Sequence, residues 1–314
     1  MNPWLALGIG LVALYFGAQT LIKGGAGLAL RFGLTPLVIG LTVVAFGTSS
    51  AELVVSLQAA LSGNGAIAIG NVVGSNICNI AFILGICALV SPLRAAAQVI
   101  RREVPVMIGV TLFAVLLLAD GRLARWEAGL LLASLVVYTV LTVRQARAET
   151  AAEAKEEFAA EVRSLPTSLG KNTALALGGL ALLLIGSHVF VSGAVTLAAA
   201  WGMSQVAIGL TIVAVGTSLP ELAASLVAAL KKEGDVAIGN VVGSNIFNLL
   251  GILGVAGLVN PIDAPGLNWT DLGLMVLTAV AVLPIAWTGG RITRWEGAGL
   301  LAIYVGYLGW LLLR

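Results

Sequence analysis

Residues 40–86 read GLTVVAFGTSSAELVVSLQAALSGNGAIAIGNVVGSNICNIAFILGI, and residues 209–255 read GLTIVAVGTSLPELAASLVAALKKEGDVAIGNVVGSNIFNLLGILGV. The two stretches align without gaps at an offset of 169, with 30 of 47 positions identical. The same offset carries Gly121-Arg122, Arg125, Trp126 and Glu127 onto Gly290-Arg291, Arg294, Trp295 and Glu296, so the duplicated unit extends well beyond the motif. A duplication this long is not a solenoid array, whose period would be 20–50 residues.

Both copies are almost free of charge, and the whole chain follows them. Of 314 residues, 59% are apolar and 10% charged, with a formal net charge of +2. A soluble domain carries about 25% charged residues, so this surface has to face lipid. One bilayer crossing takes about 20 apolar residues. Apolar runs bounded by charges or Gly/Pro/Asn turns fall at 4–22, 34–61, 66–90, 104–119, 126–143, 173–198, 204–230, 235–259, 270–288 and 296–313. The expected fold is therefore an all-α polytopic membrane protein of ten transmembrane helices. The repeat contains five of them, an odd number, so the second copy enters the membrane from the opposite side. Inverted repeats with a site at their interface near the bilayer midplane are a recurring plan of secondary transporters. The division is 1–143 for the first five-helix repeat, 144–172 for a linker and 173–314 for the second repeat. Within the linker, ETAAEAKEEFAAEV reads as a short acid-rich amphipathic helix.

Orientation follows from counting Lys and Arg on alternate loops. With both termini outside, fourteen basic residues (Lys23, Arg31, Arg94, Arg101, Arg102, Arg144, Arg147, Lys155, Arg163, Lys171, Lys231, Lys232, Arg291 and Arg294) lie inside, and three (Arg122, Arg125 and Arg314) lie outside. This places the linker in the cytoplasm of a cell bounded by a plasma (inner) membrane. All seven tryptophans fall near span ends, as an interfacial belt requires. The opening MNPWLALGIG has no basic n-region and reads as the first span rather than a cleaved signal. Cys78 and Cys87 share one apolar run and are not expected to pair. The near-zero net charge argues against nucleic acid. GxxxxGK[ST] is absent, since Leu165 stands where Gly170-Lys171 would need the first glycine, so no nucleotide partner is expected either. No Ser/His/Asp or metal-enzyme pattern occurs, so the chain is not read as an enzyme, and no cofactor is expected.

Of fifteen acidic residues, thirteen fall in loops or near span ends, while Glu52 and Glu221 lie deep in apolar runs at matching repeat positions. An ionised carboxylate in lipid costs several kcal/mol and needs a partner or a proton. Neither motif contains a basic residue, so a bound cation is the natural compensation. Thr48, Ser49 and Glu52, like Thr217, Ser218 and Glu221, are spaced i, i+1, i+4 and can converge on one helix face. Gly47, Gly216 and Pro220 loosen the helix there and free carbonyls at membrane depth, which is tolerated where they line a cavity. Carbonyl, hydroxyl and carboxylate oxygens are hard ligands suited to Ca2+ or Na+, and no Cys/His cluster points to zinc or copper.

In the next helix of each half, Asn71, Ser75 and Asn79, and Asn240, Ser244 and Asn248, recur at i, i+4, i+8 as one polar stripe. Asn71, Asn240, Asn76 and Asn245 are read as hydrogen-bonding glue between helices. His188, the only histidine, matches Gln19 at the same offset and is read as bonding across helices. Arg122, Arg125, Arg291 and Arg294 are read as interfacial anchors pairing with Glu127 and Glu296.

At GTSSAE, GNVVGSNICN, GTSLPE and GNVVGSNIFN the chain resembles the cation/calcium exchanger superfamily, and within it the prokaryotic sodium/calcium exchangers. The resemblance implies ten helices in two inverted halves, with helices 2, 3, 7 and 8 as a core and helices 1 and 6 sliding across it as a gate. It implies that Glu52 and Glu221 bind Ca2+ together with backbone carbonyls of Thr48 and Thr217. It also implies that Ala45 and Ala214 (backbone), Ser49, Ser75, Ser218 and Ser244 line flanking Na+ sites, with Asn79 and Asn248 near the middle. The activity implied is antiport of Na+ against Ca2+, with lipid and inorganic cations as partners and the monomer as the functional unit. Two positions depart from the family pattern. Asn248 stands where well-known sodium/calcium members carry Asp, and the proton/calcium branch also has Asn there, so proton/calcium exchange through the same glutamates is the alternative. A channel is the rival outside antiport. Ala51 stands where the second half has Pro220, so opening of helix 2 is expected to depend on Gly47 and its neighbours.

Overall fold

The computed structural model describes residues 1–32, 34–153, 168–202, 214–263 and 268–313. Its helices are α1 (Pro3–Phe32), α2 (Leu37–Thr48), α3 (Ser50–Leu61), α4 (Gly65–Val90), α5 (Val104–Leu117), α6 (Arg125–Glu153), α7 (Leu169–Ala200), α8 (Ala214–Thr217), α9 (Leu219–Leu230), α10 (Gly234–Val259), α11 (Trp269–Trp287) and α12 (Arg294–Leu313). Among the described residues, seven helices are long and apolar enough to cross a membrane, and the pair α2 and α3, bent by 46°, makes an eighth. Of the two remaining expected spans, 104–119 appears as α5, and 204–230 appears from Ala214 onward as α8 and α9, its first part lying outside the described residues. The protein is a multi-pass membrane protein.

Several boundaries differ from the hydropathy reading. Helix α1 continues to Phe32 rather than ending near 22, because Lys23 and the glycines after it form one more helical stretch instead of a loop. Helix α6 runs on to Glu153 and α7 starts at Leu169, so helix occupies much of the stretch read as linker. The acid-rich segment expected there lies mostly outside the described residues.

Burial orders the helices. In α4 and α10, 78% and 89% of the most apolar window is buried, against 17–39% in the other long spans. Those two helices form the centre, and the rest present apolar side chains to lipid. All seven tryptophans are exposed, as residues at a lipid interface would be.

Helices α1 and α7 pack along their length in opposite directions, with Gly10 against Phe190, Gly17 against Leu183 and Gly24 against Ala176. A Cβ at Gly179 would strike the backbone nitrogen of Leu21. Small residues at regular spacing permit this backbone approach, as in membrane helix pairs generally.

The offset seen in the sequence recurs in the contacts. Leu93 pairs with Ile292 and Leu123 with Ile262 in two short antiparallel ladders, each joining the first half to the second. Arg125 donates to Val259 O (3.5 Å), and Arg294 donates to Val90 O (3.5 Å) and Leu89 O (3.1 Å). These arginines thus satisfy last-turn carbonyls of α10 and α4 instead of pairing with Glu127 and Glu296. The two glutamates accept from the backbone N–H groups of Ala124 and Thr293 at the starts of their own helices. Arg122 pairs with Asp263 (3.2 Å), and Arg291 alone keeps an electrostatic contact with Glu296.

Candidate cation-binding site

The site begins where a helix is interrupted. Between α2 and α3, Ser49 leaves the helical region (φ −74°, ψ 5°), and between α8 and α9 its counterpart Ser218 does the same (φ −91°, ψ 9°). The first break occurs without a proline, so Ala51 does not close it. Beside it, the hydroxyl of Ser50 bonds Gly47 O, a side-chain competitor for a backbone acceptor in a helix that also carries a π turn at Gly40–Val44.

Across these breaks the two halves exchange side chains. Ser49 Oγ donates to Glu221 Oε1 and Ser218 Oγ donates to Glu52 Oε1, both at 2.9 Å. Both glutamates are fully buried, and Oε2 of each has no hydrogen-bond partner among the described residues. Neither carboxylate forms an ion pair with a described residue. Behind each glutamate, an asparagine of the neighbouring helix ties down the backbone. Asn71 Nδ2 donates to Glu52 O (3.2 Å) and Ser56 Oγ (2.9 Å), and Asn240 Nδ2 donates to Glu221 O (3.3 Å) and Ser225 Oγ (2.9 Å). Asn71 and Asn240 are therefore glue, as their place on the stripe suggested.

The remaining expected residues gather as follows. Thr48 is buried and donates to Asn240 Oδ1 and Ala45 O (both 3.3 Å). Ala45 O also accepts from Ser49 N (3.0 Å). Thr217 is half-buried one residue before the second break. Ala214 opens α8. Ser75, Asn79, Ser244 and Asn248 are buried on α4 and α10. Among the described residues, Ser244 Oγ, Asn79 Oδ1 and both amide atoms of Asn248 have no hydrogen-bond partner. Cys78, next to Asn79, lies within electrostatic reach of both glutamates. At this depth α4 and α10 widen into π turns at Cys78–Leu84 and Asn248–Ile252, a distortion frequent at functional sites. Among the described residues no group of three or more His, Cys, Asp or Glu side chains could hold a metal, so the site is two carboxylates among neutral oxygens. Cys78 and Cys87 are free and buried.

Two residues, Ser187 and Glu103, carry more than their sequence signal suggested, and His188 carries less. His188 is exposed, so the cross-helix bond read for it is absent among the described residues, and Ser187 beside it makes one instead, to Gly216 O (2.8 Å). Ser187 has no serine counterpart at the offset, where Ala18 stands, and so left no repeat signal. Glu103 was grouped with carboxylates at span ends, yet it is fully buried. The helix begins one turn early as a π turn at Val99–Glu103, and Tyr138 Oη (3.1 Å) and Gln98 Nε2 (3.3 Å) donate to the carboxylate.

Gly239 and Gly243 of α10 lie against the backbone of Leu37 and Leu41.

Residues 2–144 and 171–313 match the family described as sodium/calcium exchanger protein. The chain belongs to the sodium/calcium exchanger family. It is 43% identical over 304 residues to the putative antiporter CaxA of Alkalimonas amylolytica, covering 95% of each chain. It is 32% identical to the sodium/calcium exchanger MaX1 of Methanosarcina acetivorans, covering 97% of each. The sodium-calcium exchanger NCX_Mj, in a crystal soaked with Na+ and Ca2+, superposes with a TM-score of 0.84 at 31% identity over 98% of each chain. The family is one of membrane antiporters of sodium and calcium.

Proposed function

We propose that the chain is a secondary-active antiporter that exchanges Na+ for Ca2+ by alternating access and exports Ca2+ from the cell. The observation that carries this reading is the crossed pair in which Ser49 holds Glu221 and Ser218 holds Glu52, each leaving one buried carboxylate oxygen without a partner. Two buried carboxylates without a counter-charge are compensated by one Ca2+ or by two Na+. The loads therefore compete for the same oxygens, and a third Na+ would leave the loaded site positive and make exchange electrogenic. Glu52, Glu221 and the carbonyls of Thr48 and Thr217 would hold Ca2+. Ser49, Ser75, Ser218, Ser244 and the carbonyls of Ala45 and Ala214 would serve the flanking Na+ positions, with Asn79 and Asn248 between.

The architecture proposed with it is ten helices in two inverted halves, 1–143 and 173–314, joined by the 144–172 linker on the cytoplasmic side of the inner membrane. Both termini are outside, and the monomer is the functional unit. The symmetric ladders and the antiparallel run of α1 against α7 support the inversion.

Proteoliposomes loaded with Na+ and diluted into Na+-free buffer with radioactive Ca2+ test the assignment. Glu52→Gln and Glu221→Gln are each expected to reduce uptake at least about a hundredfold, since each removes one of two charges that face the ion in a low-dielectric site. Undiminished uptake in either variant would overturn it.

A further inference from the structure

Asn79 and Asn248 occupy equivalent places in the two halves, but their surroundings differ. Asn79 Nδ2 donates to Asn245 Oδ1 (3.3 Å), and Asn245 Nδ2 donates in turn to Met107 Sδ (3.6 Å). Met107 and Asn79 are fully buried and Asn245 nearly so. The direction of this chain follows from its last member. A thioether has no proton to give, so the atom of Asn245 that faces Met107 must be its NH2. The other end of the Asn245 amide is then the carbonyl oxygen, which must accept, and Asn79 meets it with its own NH2. What remains of Asn79 is its carbonyl oxygen, buried without a partner on the stripe that leads to the glutamates.

The second half has no such chain among the described residues. Val276 stands at the offset of 169 from Met107, but the buried stripe of α11 (Leu272, Met275, Ala279, Val282) matches that of α5 (Val104, Met107, Thr111, Ala114) one residue earlier, so a buried methionine, Met275, occurs there too. The difference lies in the asparagine: Asn76, the counterpart of Asn245, bonds Val72 O of its own helix (2.7 Å). Neither side-chain polar atom of Asn248 has a hydrogen-bond partner among the described residues.

We propose that Met107 and Asn245 are positioning residues that fix the carbonyl oxygen of Asn79 toward the cation site, giving the first half a permanently oriented neutral ligand while Asn248 stays free to turn. The proposal rests on the reading of the glutamate site as a Ca2+ site. A sulfur on α5, one helix removed from the ions, thereby decides which end of an amide the cation meets. Without it the Asn245 amide can reverse, Asn79 reverses with it, and an NH2 group faces the cation.

The test is Ca2+ binding by calorimetry to the purified full-length protein without Na+, alongside Na+-driven flux at saturating Ca2+. Met107→Leu keeps the volume and removes the acceptor. It is expected to weaken Ca2+ binding about five- to tenfold with maximal flux within about twofold of wild type, the loss of one oriented ligand. Asn245→Leu, which removes the acceptor of Asn79 itself, is expected to do the same, so either variant decides if the other does not fold. Met107→Gln, whose carbonyl can accept from Asn245, is expected to restore binding to within about twofold of wild type. Folded leucine variants that bind Ca2+ like wild type, or a glutamine variant as weak as the leucine one, would overturn the proposal. A wild-type chain that binds Ca2+ without exchanging it overturns the antiport reading and leaves the Met107 comparison decisive, because that comparison is read from binding. A wild-type chain that binds no Ca2+ overturns both.

Discussion

Glu52 and Glu221 each commit one oxygen to a serine from the opposite half of the chain, and the other oxygen has no partner among the described residues, although both are fully buried. A hydrogen bond to a charged group contributes about 1.5–3 kcal/mol, and each 1.4 kcal/mol is tenfold in affinity. The two serine bonds have the same length, so Ser49→Ala and Ser218→Ala are expected to weaken Na+ to a similar degree, about ten- to a hundredfold each, read as the Na+ concentration that half-activates Ca2+ flux. An effect confined to one serine would argue that the halves do not share the load. At this scale the sequence was informative where chemistry was repeated. The glutamates stood out because a carboxylate in an apolar run is costly, and the asparagine stripe because it recurred at i, i+4, i+8. Met107, Ser187 and Glu103 did not stand out. Methionine and serine are ordinary in apolar helices, neither has an identical residue at the offset of 169, and the burial of Glu103 depends on Tyr138 of another helix.

At the scale of elements, the spans were legible from apolar length, while their ends and their pairing were not. The stretch KGGAGLALRF at 23–32 looks like a loop because it opens on a lysine and two glycines, yet Gly24 and Gly27 are the points where α1 closes on Asn172 and Ala176 of α7. Adjacent glycines of α7 separate packing from composition. A methyl at Gly179 meets the backbone of α1, and one at Gly178 meets nothing within 4 Å. Gly179→Ala is therefore expected to destabilise by about 1–3 kcal/mol and to lower flux, whereas Gly178→Ala is expected to be neutral or slightly stabilising, since alanine is the better helix former. Thermal unfolding of the two purified variants checks this, and equal melting temperatures would contradict the packing of α1 on α7. The interruption after α2 is a similar lesson. Pro220 marked the break in the second half, but Ser49 breaks the first half at the matching position without a proline.

For the whole molecule, the offset of 169 turned out to be a rule of contacts as well as of sequence. It relates the two serine–glutamate bonds, the two asparagine ties, the two arginine–carbonyl bonds and the two ladders. What the offset cannot reveal is where the halves differ. Asn79 is held by Asn245, while neither side-chain polar atom of Asn248 has a hydrogen-bond partner among the described residues. A symmetric duplication supplies two interchangeable states, and departures from symmetry decide which one is populated. The account stands on one claim, that the Na+ gradient drives Ca2+ through the glutamate pair. Its most direct test is Ca2+ uptake into proteoliposomes of the wild-type chain under Na+, K+ or proton gradients imposed one at a time. The account predicts uptake with the outward Na+ gradient alone, abolished when external Na+ removes that gradient. Uptake driven by a pH gradient in the complete absence of Na+ would contradict it.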